Sequence, residues 1–161
     1  MRTGVLEVPA PAADNHPATK EYVDDAVAEY SPALATDHTY SGQTTTEAVG
    51  ETVAFGDLLY FDWTDKEYKK AAKGAAATMP VVAIALEAKD DGEACLLLRR
   101  GFIRDDTWDF GAAVVMAGAA GAPTTTLPST AGDQVQRIGQ AISADVMWFD
   151  PSSTVVEVPN D

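Results

Sequence analysis

The sequence predicts a mainly β protein. It reads as a small antiparallel β-barrel or sandwich-like domain over residues 51–161, preceded by an extended N-terminal arm, residues 1–50, with one short helix at about 17–30. Three observations predict this. After residue 51, short runs of branched and aromatic residues alternate with Gly, Pro, Asp and Ser turns, the signature of successive strands. Composition shifts near residue 50: residues 1–50 set two bases against eight acids and are rich in Ala, Pro, Thr and Asp, whereas residues 51–161 hold nine bases, 17 acids and nearly all the strand-like runs. Within the arm, Tyr22, Val23, Ala26, Val27 and Tyr30 fall at the 3–4 spacing of one helix face.

The helix has local support at both ends. Pro17 suits a first turn, where its missing N–H costs nothing, and Asn15 or His16 can cap it. Ser31-Pro32 ends it, because a residue before proline avoids the α region. About 14 residues is marginal for an isolated helix in water. The apolar face therefore needs something to pack against, its own domain or copies of itself in an oligomer, and Tyr22, Val23, Ala26, Val27 and Tyr30 are the candidate oligomer contacts. Ala33–Gly50, with Thr39-Tyr40-Ser41-Gly42 and Thr44-Thr45-Thr46, reads as linker or edge structure.

The strands follow in order. Thr52–Phe55 leads to a Gly56-Asp57 turn, and Leu58–Trp63 and Tyr68–Lys70 flank a turn at 64–67. Met79–Ala88 is a nearly continuous apolar run, as expected for a strand covered on both faces. Asp91-Gly92 marks a hairpin into Cys95–Arg99, and Gly101 suggests a bulge before Phe102-Ile103-Arg104. Ala113–Met116 and Val135–Ala144 are further strands, and Val146–Phe149 with Thr154–Val158 reads as a last hairpin around Pro151. Tyr60, Phe61, Met79, Val81, Ile84, Leu86, Leu96, Leu98, Phe102, Ile138, Ile142, Met147 and Phe149 are expected to line or border one core, with Trp63 and Trp108, beside turns, partly exposed or at subunit contacts. Leu58–Asp62 and Val146–Asp150 share the order apolar, apolar, aromatic, Phe, Asp; two such copies read as core hairpins with similar local chemistry, not as a repeat protein.

Charge and composition narrow the function classes. The chain has 161 residues, 46% of them apolar, and a net charge of −14. That field repels phosphate, so direct contact with nucleic acid or an anionic membrane is disfavoured. No signal peptide or membrane-spanning segment is expected, and a single cysteine gives no intrachain disulfide.

Residues that could carry catalysis are few. His16 and His38 are the only histidines, both in the arm. No nucleophile elbow, phosphate loop or His-Glu-x-x-His motif occurs. Gly118–Pro123 is glycine-rich but runs into proline, and reads as a flexible surface loop. Cys95, between apolar neighbours, reads as an inert core thiol. Asp105-Asp106 with Asp109, and Asp90-Asp91 with Glu93, could offer oxygens to calcium but lack EF-hand spacing, and read as solvated turn acids. Arg99-Arg100 and Arg104 form the densest basic spot, open to partners in a neighbouring subunit or to solvent. The expectation is a non-enzymatic protein with no catalytic residues, no cofactor and no metal.

Two resemblances give that expectation a context. Ala18, Thr19, Lys20, Tyr22, Val23 and Asp24, within 14–27, resemble the A-T-K-x-Y-V-D-x-A helix of bacteriophage fibre proteins, which joins a virion-attached part to a projecting part within trimers. Val53–Tyr60 with Gly56-Asp57, the Ala-rich 71–77, Met79-Pro80-Val81-Val82-Ala83-Ile84-Ala85, Gly92-Glu93-Ala94 and Leu98–Arg104 follow an order similar to that of phage capsid-decoration (cement) proteins. Gln134–Val158 resembles C-terminal β-modules of phage virion proteins. What the resemblance implies is a homotrimeric decoration or head-fibre protein on the virion, bound outside the capsid to the major capsid protein. The alternative it leaves is a tail-fibre or tail-tip subunit that helps recognise a host.

Overall fold

The computed structural model describes residues 30–111 and 114–160. The expected helix lies outside them except for Tyr30, and so do Tyr22, Val23, Ala26 and Val27. The described chain is mainly β, an antiparallel sheet curled into a half-barrel. Its strands are β1 (Thr39–Ala48), β2 (Leu58–Asp62), β3 (Glu67–Lys70), β4 (Ala83–Ala85), β5 (Ala94–Arg104), β6 (Val114–Ala117), β7 (Pro123–Thr124), β8 (Gln134–Val135), β9 (Arg137–Ala141), β10 (Val146–Phe149) and β11 (Val156–Glu157), with one 3-10 turn at Ala76–Thr78.

β5 is the spine. β1 pairs along its whole length, from Thr39 opposite Arg104 to Ala48 opposite Ala94. The other edge of β5 is shared. β4 takes Leu97 and Leu98, and β10 takes Gly101 to Arg104. Two wings therefore leave one edge: β4-β2-β3 and β10-β9-β6-β7. The register shifts opposite Gln43/Thr44, leaving Arg99 without a partner residue on β1. This bulge comes two residues before the expected position and sits between the two wings, where added twist turns one away from the other. Gly101 has a different role. It lies opposite Gly42, both with positive φ, and a Cβ on either would strike the facing strand's carbonyl.

The wings rejoin at their far ends. Leu58 N–H donates to Gly121 O (2.7 Å), Gly121 N–H to Ala71 O (2.7 Å) and Lys73 N–H to Gly118 O (2.9 Å). Gly121 is buried, with φ +82°. The glycine-rich segment is therefore a clasp between wings, not the expected flexible surface loop. Its small residues let the backbones approach closely enough to bond.

Period-2 alternation sorts the core into two layers. The inner layer holds Leu58, Tyr60, Val81, Ile84, Leu86, Leu98, Ile103, Val115, Ile138, Met147 and Phe149. A second layer behind the first wing holds Val49, Val53, Leu59, Ala83, Ala85, Cys95 and Leu97. β4 is covered on both faces, as its apolar run implies, though the strand itself spans only three residues.

Met79 and Leu96 border the inner layer, as expected. Other core assignments need correction. Phe61 and Phe102 alternate to the outer face, and Ile142, just past the end of β9, is 50% exposed. Trp63 is 82% exposed, while Trp108 packs partly buried against the inner layer. The last hairpin is also different: β10 pairs with β9 and β5, and β11 pairs with β8. Ser152 N–H bonded to Arg137 O (2.9 Å) draws the chain after Pro151 away from β10. The two similar pentapeptides are out of phase: Leu58 and Tyr60 face the inner layer in one, Met147 and Phe149 in the other.

Candidate functional site

The described sheet carries one aromatic cluster at the point where the N-terminal segment reaches it. Trp148 of β10 lies opposite Phe102 of β5, so both rings share the outer face, with centroids 4.7 Å apart. Tyr30 sets its ring edge-on to Trp148 at 5.5 Å and remains 40% exposed. Arg100 lies over the same indole at 5.5 Å and pairs with Asp150 at 3.2 Å. Ser31 fastens the approach: its N–H donates to Ser41 Oγ (2.9 Å), whose hydroxyl donates back to Ser31 O (2.7 Å). Of the five expected contact residues, Tyr30 thus lies on an amphipathic aromatic surface of the kind enriched at interfaces. The other four lie outside the described residues.

The arginines of the basic spot have partners within the chain. Arg99 donates to Tyr68 Oη (2.7 Å) and lies over its ring. Arg104 bonds Asp106 (2.6 Å), Asp145 (2.8 Å) and Leu34 O (2.9 Å). Asp106 does most to hold the Arg104 guanidinium above its ordinary pKa, and a hydrogen bond from Ser143 does most to lower that of Asp145. This network ties residues 34–37 to the loop after β5.

Beside it, Asp37, His38 and Asp105 converge. Asp37 Oδ1 accepts N–H bonds from Asp106 (2.8 Å) and His38 (2.9 Å), and the Asp106 bond does most to lower its pKa. His38 stacks on Phe55 with ring centroids 4.4 Å apart. Asp105 is only 5% exposed, contrary to the expected solvated turn acid. Thr107 holds it through its N–H (2.9 Å) and hydroxyl (2.5 Å), so the buried carboxylate is hydrogen-bonded inside its own turn. The other acids, Asp90, Asp91, Glu93 and Asp109, are exposed as expected. Cys95 is buried, and burial pushes its thiol pKa up, which disfavours the nucleophilic thiolate.

Gln136 is the residue that pattern reading missed. It is fully buried, and its amide stands in for a strand: Val81 N–H donates to Oε1 (2.8 Å), while Nε2 donates to Val81 O (3.0 Å) and Ser152 O (2.7 Å). A lone Gln between Val135 and Arg137 carries no signal of this in sequence. Lys73 likewise pairs with the buried Asp133, beside a cavity of about 370 Å³ lined by Gly118, Ala122, Thr124, Leu127 and Thr130. No helix among the described residues is long and apolar enough to cross a membrane. In comparison with known proteins, the chain matches no family model, no curated protein and no solved structure.

Proposed function

We propose that this chain is a non-enzymatic structural protein of a phage virion. In this reading it is a homotrimeric capsid decoration (cement) or head-fibre protein that binds the outer surface of the major capsid protein and stabilises the shell. The observation that carries the proposal is the ordered set of phage-like stretches, from the fibre-type helix motif at 18–24 to the strand leading into Gly101. The placement of Tyr30 supports it: this last residue of the expected helix packs on a half-buried aromatic face built from Phe102, Trp148 and Arg100. Identical copies meeting there would bury apolar area that one chain leaves open. The acidic surface keeps the protein off packaged DNA and its phosphates.

Copy number in purified particles tests the proposal. A quantitative gel should give a count that scales with the major capsid protein. A few copies per particle would place the chain in the tail, as a tail-fibre or tail-tip subunit. Absence from particles would end the virion reading.

A further inference from the structure

The convergence of Asp37, His38 and Asp105 has no part in the proposed virion role. One ligand atom from each lies within 4.8 Å of the other two. Two of these are carboxylate oxygens, and like charges this close repel unless a cation sits between them. Arg104, the nearby cation, is committed to Asp106, Asp145 and Leu34 O. Asp105 is the most constrained of the three. Little of it is exposed, Thr107 occupies its Oδ1 twice, and its Oδ2, which takes no donor among the described residues, is not sealed from solvent. Asp37 repeats the arrangement: two backbone N–H groups hold Oδ1, while Oδ2 lies 3.7 Å from His38 Nε2. Phe55 backs the imidazole and restricts its tilt.

We infer that Asp37, His38 and Asp105 form a binding site for a divalent transition-metal ion of the zinc type. One imidazole nitrogen and two carboxylate oxygens suit a borderline ion better than calcium or magnesium, which favour all-oxygen shells. Three protein ligands leave room for a water or a fourth group. The hydrogen bonds to the two Oδ1 atoms are the outer-shell contacts that orient ligating carboxylates. Ligands 37 and 38 come from the segment entering β1, and ligand 105 from the loop leaving β5, so a bound ion fastens the incoming chain to the sheet.

Titration of the full chain with ZnCl₂, followed by calorimetry, tests this. One ion per chain is expected, with a rise in melting temperature. His38→Asn keeps a residue that tolerates positive φ but removes the imidazole, and Asp105→Asn removes the buried charge. Each should weaken zinc at least about tenfold, since loss of outer-shell partners alone costs about that much. Both variants should keep the parent's far-UV spectrum, and His38→Asn, at an exposed position, tests the site even if Asp105→Asn unfolds. His16→Ala should bind as the parent does. No zinc binding, binding unchanged in His38→Asn, binding lost in His16→Ala, or calcium bound as tightly as zinc would each overturn the assignment.

Discussion

The two wings that share one edge of β5 are finished differently on their outer faces. Behind β4-β2-β3, the chain covers itself: Val49 and Val53 cross over Leu59, Ala83, Ala85, Cys95 and Leu97 and seal a second core layer. Behind β10-β9-β6, no such layer exists among the described residues. Its outer face carries the half-exposed Trp148 and Phe102, and Val114 and Ile142 stand out at its ends. Both wings contribute to one inner layer with Leu98 and Ile103 of β5. The inner layer thus makes the fold, while the outer face of the second wing is where a partner can still gain contact.

Leu98→Ala should have the largest effect on stability. Leu98, the last β5 residue paired with β4 before the bulge, is fully buried in the inner layer that both wings share. A cavity there should cost about 2–5 kcal/mol, read from urea denaturation. A cost below about 1 kcal/mol would mean the layer collapses around the gap and is not the common core of both wings. Gln136→Met comes next. It keeps the volume but strips Val81 N–H of its buried acceptor and should cost about 1–3 kcal/mol. Unchanged stability would show that the segment before β4 finds water or another acceptor.

What the sequence made legible is local. Asp91-Gly92 sits at the turn between β4 and β5, and the alternation of Leu58, Leu59 and Tyr60 sorts correctly into two layers. Pairing between distant segments leaves no local trace. β1 lies before the compositional break at residue 50, yet it is part of the sheet. It is an edge strand with mostly exposed Thr and Gln residues, so it needs few large apolar groups. Composition at that point records how little the strand buries, not whether it is paired. The Asp37–His38–Asp105 convergence was illegible for the same reason: its members are 67 residues apart in sequence and meet only because β1 and β5 run antiparallel with Thr39 opposite Arg104. Burial of Asp105 follows from the Thr107 turn and the packing around it, which a pair of adjacent aspartates does not announce.

Trp148→Ala should separate the two outer faces. Within one chain it removes the Tyr30, Phe102 and Arg100 contacts, of which the two aromatic pairs contribute about 1–3 kcal/mol beyond the area they bury. Its larger effect should be on assembly. Light scattering should show the parent as a trimer at micromolar concentration, and Trp148→Ala shifted toward the single-chain mass of 17.0 kDa. Trp63→Ala, on the β2–β3 turn of the first wing, serves as the control for an exposed indole. If it disrupts assembly while Trp148→Ala does not, the contact face belongs to the first wing.

The smallest effect concerns the β2–β3 hairpin and its sign with pH. Asp62 bonds Lys69 (2.9 Å), which also pairs with Asp65, and accepts the Thr64 N–H (2.8 Å). The Lys69 bond does most to lower the Asp62 pKa, from 3.8 to about 2. Lys69, held by Asp65 first and Asp62 second, stays above the ordinary lysine range and remains cationic throughout. Because the folded pKa lies below the unfolded one, the carboxylate's contribution is fully present above about pH 4 and is lost as pH falls toward 2. Asp62→Asn should therefore lower the urea midpoint slightly at neutral pH, with the gap between variant and parent closing as the pH approaches 2. Asp57, one turn earlier, has the opposite sign: burial raises its pKa, so acidification should relieve a cost there and Asp57→Asn should mimic that relief at neutral pH. A gap for Asp62→Asn that stays constant down to pH 2 would mean the ion pair contributes nothing, and that the amide disturbs the turn through the Thr64 N–H alone.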